Sequence, residues 1–412
     1  MSNQTFIIVG ASLTGAKAAE ALREEGFDGR IVLIGDESER PYERPPLSKD
    51  YLRGESEREK IYVHPSGFYE EHDIELRSGT PVQSVDTAGS AVMLAGDQRL
   101  DYDRLLLATG AEPRRLELPG DGLDGVHYLR AVEDSDRLRQ RLDQGGRLVV
   151  VGAGWIGAEV AASARQRGLE VTVIEPASLP LERALGVELG AIYRDIHVDQ
   201  GVEMLLDTGV EAFEGQGSVD AVRTEDGRRV ECDFAVVGIG VAPRTQLAEA
   251  AGIECENGIT VDEHLQTSVR GVFAAGDVAN ARHPFYGERI RVEHWANANN
   301  QGPVAAANML GRATPYERIP YFFSDQYDVG MEYSGHATGG DEVVFRGDPA
   351  SREFVAFWLA DGRVLAGMNV NVWDVNEHVQ ELIRSRLPVD AAALTDLDTP
   401  LDSLVGEPAP ES

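Results

Sequence analysis

Phe6-Ile7-Ile8-Val9-Gly10-Ala11-Ser12-Leu13-Thr14-Gly15 is an apolar run that ends on a glycine turn. It leads into the helix-forming stretch Ala16-Lys17-Ala18-Ala19-Glu20-Ala21-Leu22. Four consecutive apolar residues closed by glycine read as a buried parallel strand. Gly10 permits the tight turn, Gly15 lets the helix pack closely on the strand, and Ser12 stands where a dinucleotide fingerprint usually has its second glycine. The helix N-terminus then offers free N–H groups to a diphosphate. Alone, such a loop recurs by chance in α/β proteins.

Working outward, Arg30-Ile31-Val32-Leu33-Ile34-Gly35-Asp36-Glu37 reads as a second parallel strand ending in acids. An acid about 20 residues after the glycines is placed to accept hydrogen bonds from a ribose. Asp36 and Glu37 both fit, and the sequence does not choose between them. Pro45-Pro46 stiffens the following loop, Ser48 is a candidate N-cap, and Lys49 then falls in the first turn of a short helix. A stiff loop carrying Arg44 and Lys49 can aim two cations at a diphosphate, although in isolation a surface loop with ordinary charges is the simpler reading. Residues 61–100 alternate like a β-meander. Leu105-Leu106-Leu107-Ala108-Thr109-Gly110 is another buried strand, ending in small residues that let a cofactor pass close to backbone.

The pattern then restarts. Val149-Val150-Val151-Gly152-Ala153-Gly154-Trp155-Ile156-Gly157-Ala158-Glu159 is a complete G-x-G-x-x-G after a strand, and Glu170 to Glu175 forms the next strand. An acid at Glu175 accepts from both ribose hydroxyls and repels a 2′-phosphate, so NADH is expected rather than NADPH. Residues 202–232 mirror the first meander, and Phe234 to Pro243 mirrors Leu105 to Pro113, with Gly240 in the matching turn. The chain therefore holds two copies of one nucleotide-binding unit. Beyond them, Ala275-Gly276-Asp277 ends a short strand on a carboxylate that suits a polyhydroxyl partner. Residues 292–303 lead into a helical run, Val304 to Leu310, whose N-terminus could stabilise negative charge on a reduced ring. From about Tyr316 the pattern changes to a small α+β domain, with a hairpin at Ala360-Asp361-Gly362 and an amphipathic helix from Asp374 to Leu387.

The totals narrow the function. The 412 residues carry 70 acids against 38 bases, a net charge of −32, which argues against nucleic acid or an anionic membrane as partner. No signal peptide or membrane-length apolar run is visible, so the cytoplasm is the expected compartment. The two cysteines, Cys232 and Cys255, form no close pair, which excludes a catalytic dithiol. The nine histidines show no metal-ligand spacing.

With these motifs in place, the chain resembles the bacterial FAD-dependent NADH:ferredoxin reductases that serve dioxygenases and haem monooxygenases, and more distantly apoptosis-inducing factor. The resemblance rests on both glycine loops, Arg44-Pro45-Pro46-Leu47-Ser48-Lys49, Ala108-Thr109-Gly110, Glu159, Glu175, Ala275-Gly276-Asp277 and Glu293-His294-Trp295. It implies two Rossmann-like domains of the glutathione-reductase type plus a C-terminal α+β domain. The expected limits are 1–112 and 243–318 for FAD, 113–242 for NADH and 319–405 for the last domain, with 406–412 a disordered tail. It also implies that Gly10, Ser12, Leu13, Thr14, Gly15, Asp36, Glu37, Arg44, Lys49, Val82, Ala108, Thr109, Gly110, Arg130, Asp277, His294, Trp295 and Phe323 serve FAD. Gly152, Gly154, Trp155, Ile156, Gly157, Glu159, Glu175 and Gly240 would serve NADH, and Lys49 and Glu159 would pair beside the reacting rings. Ser12 replaces a glycine, and Phe323 stands where relatives often have tryptophan. The implied partner is a 2Fe–2S ferredoxin feeding an oxygenase, met through a local cluster of arginines, by a monomer or homodimer. An NADH oxidase, a rubredoxin reductase and an FAD/NADH redox sensor are the alternative readings.

Overall fold

The computed structural model describes residues 3–337 and 342–405; the tail expected at 406–412 lies outside them. The chain divides into two compact units. One comprises residues 1–45, 57–112 and 241–318; the other comprises 46–56, 113–240 and 319–412.

The first unit is built on a five-stranded parallel sheet. Its order is Val272–Ala274, Arg104–Leu107, Thr5–Val9, Arg30–Ile34 and Ile74–Arg77. Phe6, Ile7, Ile8 and Val9 are buried at the centre, in register with Ile31 to Ile34 on one side and Arg104 to Leu107 on the other. Continuous apolar runs are what a sheet covered on both faces needs. The helix Leu13–Glu24 follows the glycine loop and packs on a second helix, Trp295–Met309. Gly302 makes that approach possible, since a Cβ there would lie 2.6 Å from the Thr14 carbonyl oxygen. The second helix begins nine residues before the run Val304 to Leu310 read from sequence, with Pro303 inside it. Proline removes one helical hydrogen bond, but packing against the first helix holds the segment in place.

The meander is shorter than the alternation suggested. Its three antiparallel strands are Val82–Asp86, Ala91–Leu94 and Arg99–Asp101. The part of 61–77 that alternates, Ile74–Arg77, instead pairs with Arg30–Ile34 as the edge of the parallel sheet. An edge strand is half exposed, and so takes the same polar–apolar alternation as a meander strand.

The second unit repeats this plan with Glu203–Leu205, Glu170–Ile174, Arg147–Val151, Phe234–Val237 and Val126–Tyr128 in one parallel sheet. A three-stranded sheet, Val210–Gln216, Ser218–Thr224 and Arg229–Glu231, corresponds to the first meander. The same unit holds an antiparallel sheet ordered Tyr321–Gln326, Val329–Gly335, Arg363–Val370, Glu353–Ala360 and Glu342–Asp348. The helix Asn376–Ser385 packs on it. Asp361 and Gly362 both have positive φ, 51° and 73°, as a two-residue hairpin turn requires.

The two glycine loops are superimposable in their constraints. Gly10 donates to the Ile34 carbonyl at 2.8 Å, and Gly152 donates to the Ile174 carbonyl at 2.8 Å. A Cβ on Gly15 would fall 2.0 Å from the Gly10 carbonyl oxygen, and one on Gly157 would fall 2.1 Å from that of Gly152. Gly10 itself has φ +120°, and its Cβ would lie 2.0 Å from the Ala108 oxygen. Gly26 offers a control, with φ +82° and nothing within 4 Å. Gly10→Ala is expected to lose at least about 2 kcal/mol from strain and displaced backbone, and Gly26→Ala only about 1 kcal/mol. Urea unfolding of both variants checks this; equal losses would refute the clash.

Candidate functional site

In the first unit the expected FAD residues gather at the C-terminal ends of the parallel strands, where ligands bind in open α/β sheets. Gly10, Ser12, Leu13, Thr14 and Gly15 form the turn and the first helical residues. Ser12 is the N-cap but makes no side-chain capping bond, which keeps its hydroxyl out of the helix's own bonding. Thr14 is buried against Gly276, whose Cβ would lie 2.5 Å from Thr14 Oγ1. Gln301 Oε1 accepts the Gly276 N–H at 2.8 Å. The turn ahead of Asp277 is thereby tied to both helices. Ala108 is buried, and the Thr109 hydroxyl donates to the Arg244 carbonyl at 2.8 Å. Gly110 has φ +69° and accepts the Arg244 N–H through its carbonyl. Val82 lies on the first strand of the small antiparallel sheet, paired with Leu94.

The two candidate ribose acids have different neighbours. Asp36 receives Arg244 Nη2 at 2.8 Å, and its side chain is 44% exposed. Burial works against its charge, but the Arg244 bond outweighs this and holds its pKa below the usual value. Glu37 is bonded by the Tyr42 hydroxyl and by Arg44 at 2.6 Å. Arg44 is opposed by burial, yet Tyr42, Glu37 and Asp277 together raise its pKa above that of an ordinary arginine. Arg44 is thus a fixed cation between acids from separate loops. His294 stands at the N-cap position of the helix that starts at Trp295, without a side-chain capping bond. Burial pushes its pKa down to about 4 against the pull of Asp277, so it is a neutral imidazole at pH 7.

Lys49, Arg130 and Phe323, which the resemblance assigns to FAD, lie in the second unit with the residues expected to serve NADH. The segment Pro45–Ser48 is a 3₁₀ turn, and Lys49, not Ser48, precedes the short helix Asp50–Arg53. Ser48 is buried and donates to Glu159 Oε2 at 2.5 Å instead of capping. Lys49 Nζ lies 2.9 Å from Glu159 Oε1, with the two side chains 11% and 8% exposed. Ser324 Oγ donates to the same Glu159 oxygen at 2.7 Å. Lys49 also sits 5.6 Å from the centre of the Phe323 ring. Arg130 donates its backbone N–H to Asp134 at the start of helix Val132–Asp143.

Gly152, Gly154 and Gly157 form the second loop, with Trp155 and Ile156 opening the helix Trp155–Gln166. Trp155 meets Phe322 edge-on, with ring centres 5.0 Å apart. Glu175 is anchored beside the loop, its carboxylate accepting the Ala153 N–H at 2.6 Å and the Ala177 N–H at 2.9 Å. Gly240 turns with φ +94° and accepts the Arg114 N–H. Sequence reading missed Arg244, Tyr42, Ser324 and Gln301. No motif announces them: Arg244, Ser324 and Gln301 act on residues far away in the chain, and Tyr42, only five residues from Glu37, belongs to no recognised pattern.

Both loops fit a dinucleotide: each brings helix N–H groups and bare glycine backbone to one place, with a carboxylate at the end of the neighbouring strand. Cys232 and Cys255 are free, and burial raises their thiol pKa values to about 12 and about 11. Neither is a poised thiolate. Among the described residues no group of three or more His, Cys, Asp or Glu could hold a metal ion. No described helix is long and apolar enough to cross a membrane.

Residues 4–302 match the pyridine nucleotide-disulphide oxidoreductase family, and residues 321–405 match the reductase C-terminal family. The chain belongs to these families and is an oxidoreductase. Putidaredoxin reductase CamA of Pseudomonas putida is 37% identical over 410 residues, covering 98% of this chain and 97% of that protein. The anthranilate 1,2-dioxygenase system ferredoxin–NAD(+) reductase component of Burkholderia cepacia is 40% identical over 407 residues, covering 98% and 99%. The structure of the covalent putidaredoxin reductase–putidaredoxin complex matches with a TM-score of 0.95 at 37% identity, over 98% of this chain and 99% of that one.

Two outcomes follow from the site. Removing the cation alone, in Lys49→Met, leaves a buried carboxylate and is expected to cost about 3–5 kcal/mol. The double variant Lys49→Met/Glu159→Gln recovers most of that loss, as denaturant titration can measure; no recovery would mean the two are not coupled. For His294, the unfolded chain gains a proton below about pH 6.5 that the folded chain refuses until about pH 4. Stability therefore falls as pH drops through that window, by about 1–3 kcal/mol. His294→Asn should flatten this acid slope in urea unfolding at pH 7, 5.5 and 4.5.

Proposed function

We propose that the chain carries FAD in its first unit and NADH in its second, and that it passes electrons singly to a 2Fe–2S ferredoxin supplying an oxygenase. The observation that carries this reading is the doubled glycine cradle, each copy with its own acid, in a chain without a poised thiol. Full-length similarity to reductases named for ferredoxin partners supports the acceptor. When bound, FAD accepts two electrons together from NADH and releases them one at a time, which an iron–sulfur acceptor requires.

The residues of the chain have separate tasks in this scheme. Gly10 and Gly15, with Ser12, Leu13 and Thr14, leave room and N–H donors for the FAD diphosphate. Asp36 or Glu37 receives its ribose, and Arg44 supplies fixed positive charge. Asp277 takes the polyhydroxyl chain, with Ala108, Thr109, Gly110, Val82, His294 and Trp295 completing the FAD set of the first unit. Gly152, Gly154, Gly157, Trp155, Ile156 and Gly240 hold NADH, and Glu175 selects it over NADPH by repulsion. Lys49 and Glu159 keep an ammonium at one height and orientation for the nicotinamide. The cytoplasm is the proposed compartment.

The test is to reduce the purified yellow protein with NADH and with NADPH, then offer 2Fe–2S ferredoxins. NADH is expected to be preferred, and Glu175→Ala to narrow the preference about tenfold or more. Docking through arginines on a ferredoxin of acidic surface predicts that the rate at limiting ferredoxin falls as ionic strength rises. A colourless protein that cannot be reconstituted with FAD would overturn the whole reading.

A further inference from the structure

We propose that His197 is a positioning residue for the Lys49–Glu159 pair, acting through a one-way chain of hydrogen bonds that ends on the Glu159 carboxylate. The proposal rests on the reading that this pair serves the NADH reaction.

The chain of contacts lies wholly within the second unit. His197 is on the helix Glu182–Asp199, which starts beside the second glycine loop: Leu181, just before it, donates its N–H to the Ala153 carbonyl at 3.0 Å. The Tyr327 hydroxyl is 2.9 Å from His197 Nδ1, and His197 Nε2 is 3.0 Å from Gln326 Oε1. Gln326 Nε2 donates to Ser324 Oγ at 3.3 Å, and Ser324 donates to Glu159 Oε1 at 2.7 Å. His197, Gln326 and Ser324 are each 1% exposed, and Glu159 is 6% exposed.

The direction follows from donor and acceptor chemistry. Gln326 presents a carbonyl oxygen to His197, so Nε2 must carry the hydrogen. The other ring nitrogen must then accept, because the imidazole is neutral: burial pushes its pKa down to about 4, with the Gln326 bond pulling the other way. Tyr327 therefore donates. Ser324 accepts from Gln326 and spends its own hydrogen on Glu159. All four hydrogens point along the chain toward one carboxylate, and bonds aligned in this way polarise each other in a low-dielectric interior. Tyr327 opens the two-residue turn between Tyr321–Gln326 and Val329–Gly335 with φ +58°. That conformation is rare for a large side chain, and the His197 bond helps hold it.

The other groups facing Glu159 are Lys49, Ser48, Tyr193 and Asp325. Burial, then the charges of Glu159 and Asp325, raise the Tyr193 phenol. Burial and Glu159 likewise raise Asp325, against the pull of Lys49 and Arg53. Around His197, Arg165 acts on Tyr327. None of these replaces the Ser324 donor.

Two measurements test the chain. Nitrogen-15 NMR of histidine-labelled holoprotein, with His197 assigned by its loss in His197→Gln, is expected to show the neutral Nε2–H form throughout pH 5–8. An Nδ1–H form, or a titration near the ordinary histidine value, overturns the proposal. The second measurement is the rate of flavin reduction by NADH against pH, in single-turnover mixing. The acid limb is expected to move up by about one pH unit in Ser324→Ala and in His197→Leu, the size of one charge-assisted bond. His197→Gln keeps an N–H toward Gln326 and is expected to restore the limb. Ser324→Ala decides the matter if His197→Leu does not fold. Unmoved limbs in the folded variants overturn the proposal. The underlying reading fails separately: an unchanged profile in Glu159→Gln removes the pair, and with it this chain, from the reaction, whatever the tautomer.

Discussion

Two backbone segments approach more closely than any side chain allows, and the architecture depends on that approach. At Gly10 the turn lies against the Ala108 carbonyl, and at Gly152 it lies against that of Gly238. Because neither glycine has a Cβ, each central strand can end beside its neighbour while the helix starts at once. The helix N–H groups and the strand-end acids then reach the same place. Moving either loop outward by the width of a methyl group would separate the donors from the acids.

The second organising centre is the Glu159 carboxylate. It takes Ser48 and Lys49, neighbours in one turn, and Ser324, from a strand remote in sequence. Buried charge is tolerated only when paired and hydrogen-bonded, and here those conditions are met by residues with no other shared purpose.

Strand, loop, helix and acid were legible in the sequence because each is a local pattern: apolar runs, glycine spacing, a carboxylate at a set distance. The duplication was legible for the same reason, and so was the hairpin at Asp361-Gly362. Three features were not. Ser48 looks like a cap by composition, but its hydroxyl goes to Glu159, a long-range contact that outbids the local one. The helix from Trp295 was hidden by an asparagine-rich start and by Pro303, because packing across Gly302 overrides intrinsic preference. The Ser324, Gln326 and His197 connections join a strand to a helix more than a hundred residues away, and nothing in either segment marks the other.

The middle position of each loop has a different character from its ends. A Cβ on Gly154 would meet nothing closer than 3.9 Å, and the first loop carries Ser12 at the equivalent place. The end glycines are required by the protein's own backbone, whereas the middle one is free of it. Stability and ligand affinity are therefore encoded at separate sites within six residues. A lineage can retune what either cradle prefers at that middle position and at the strand-end acid while leaving the folding of the turn untouched, which is a physical route by which one ancestral unit could be duplicated and its two copies specialised.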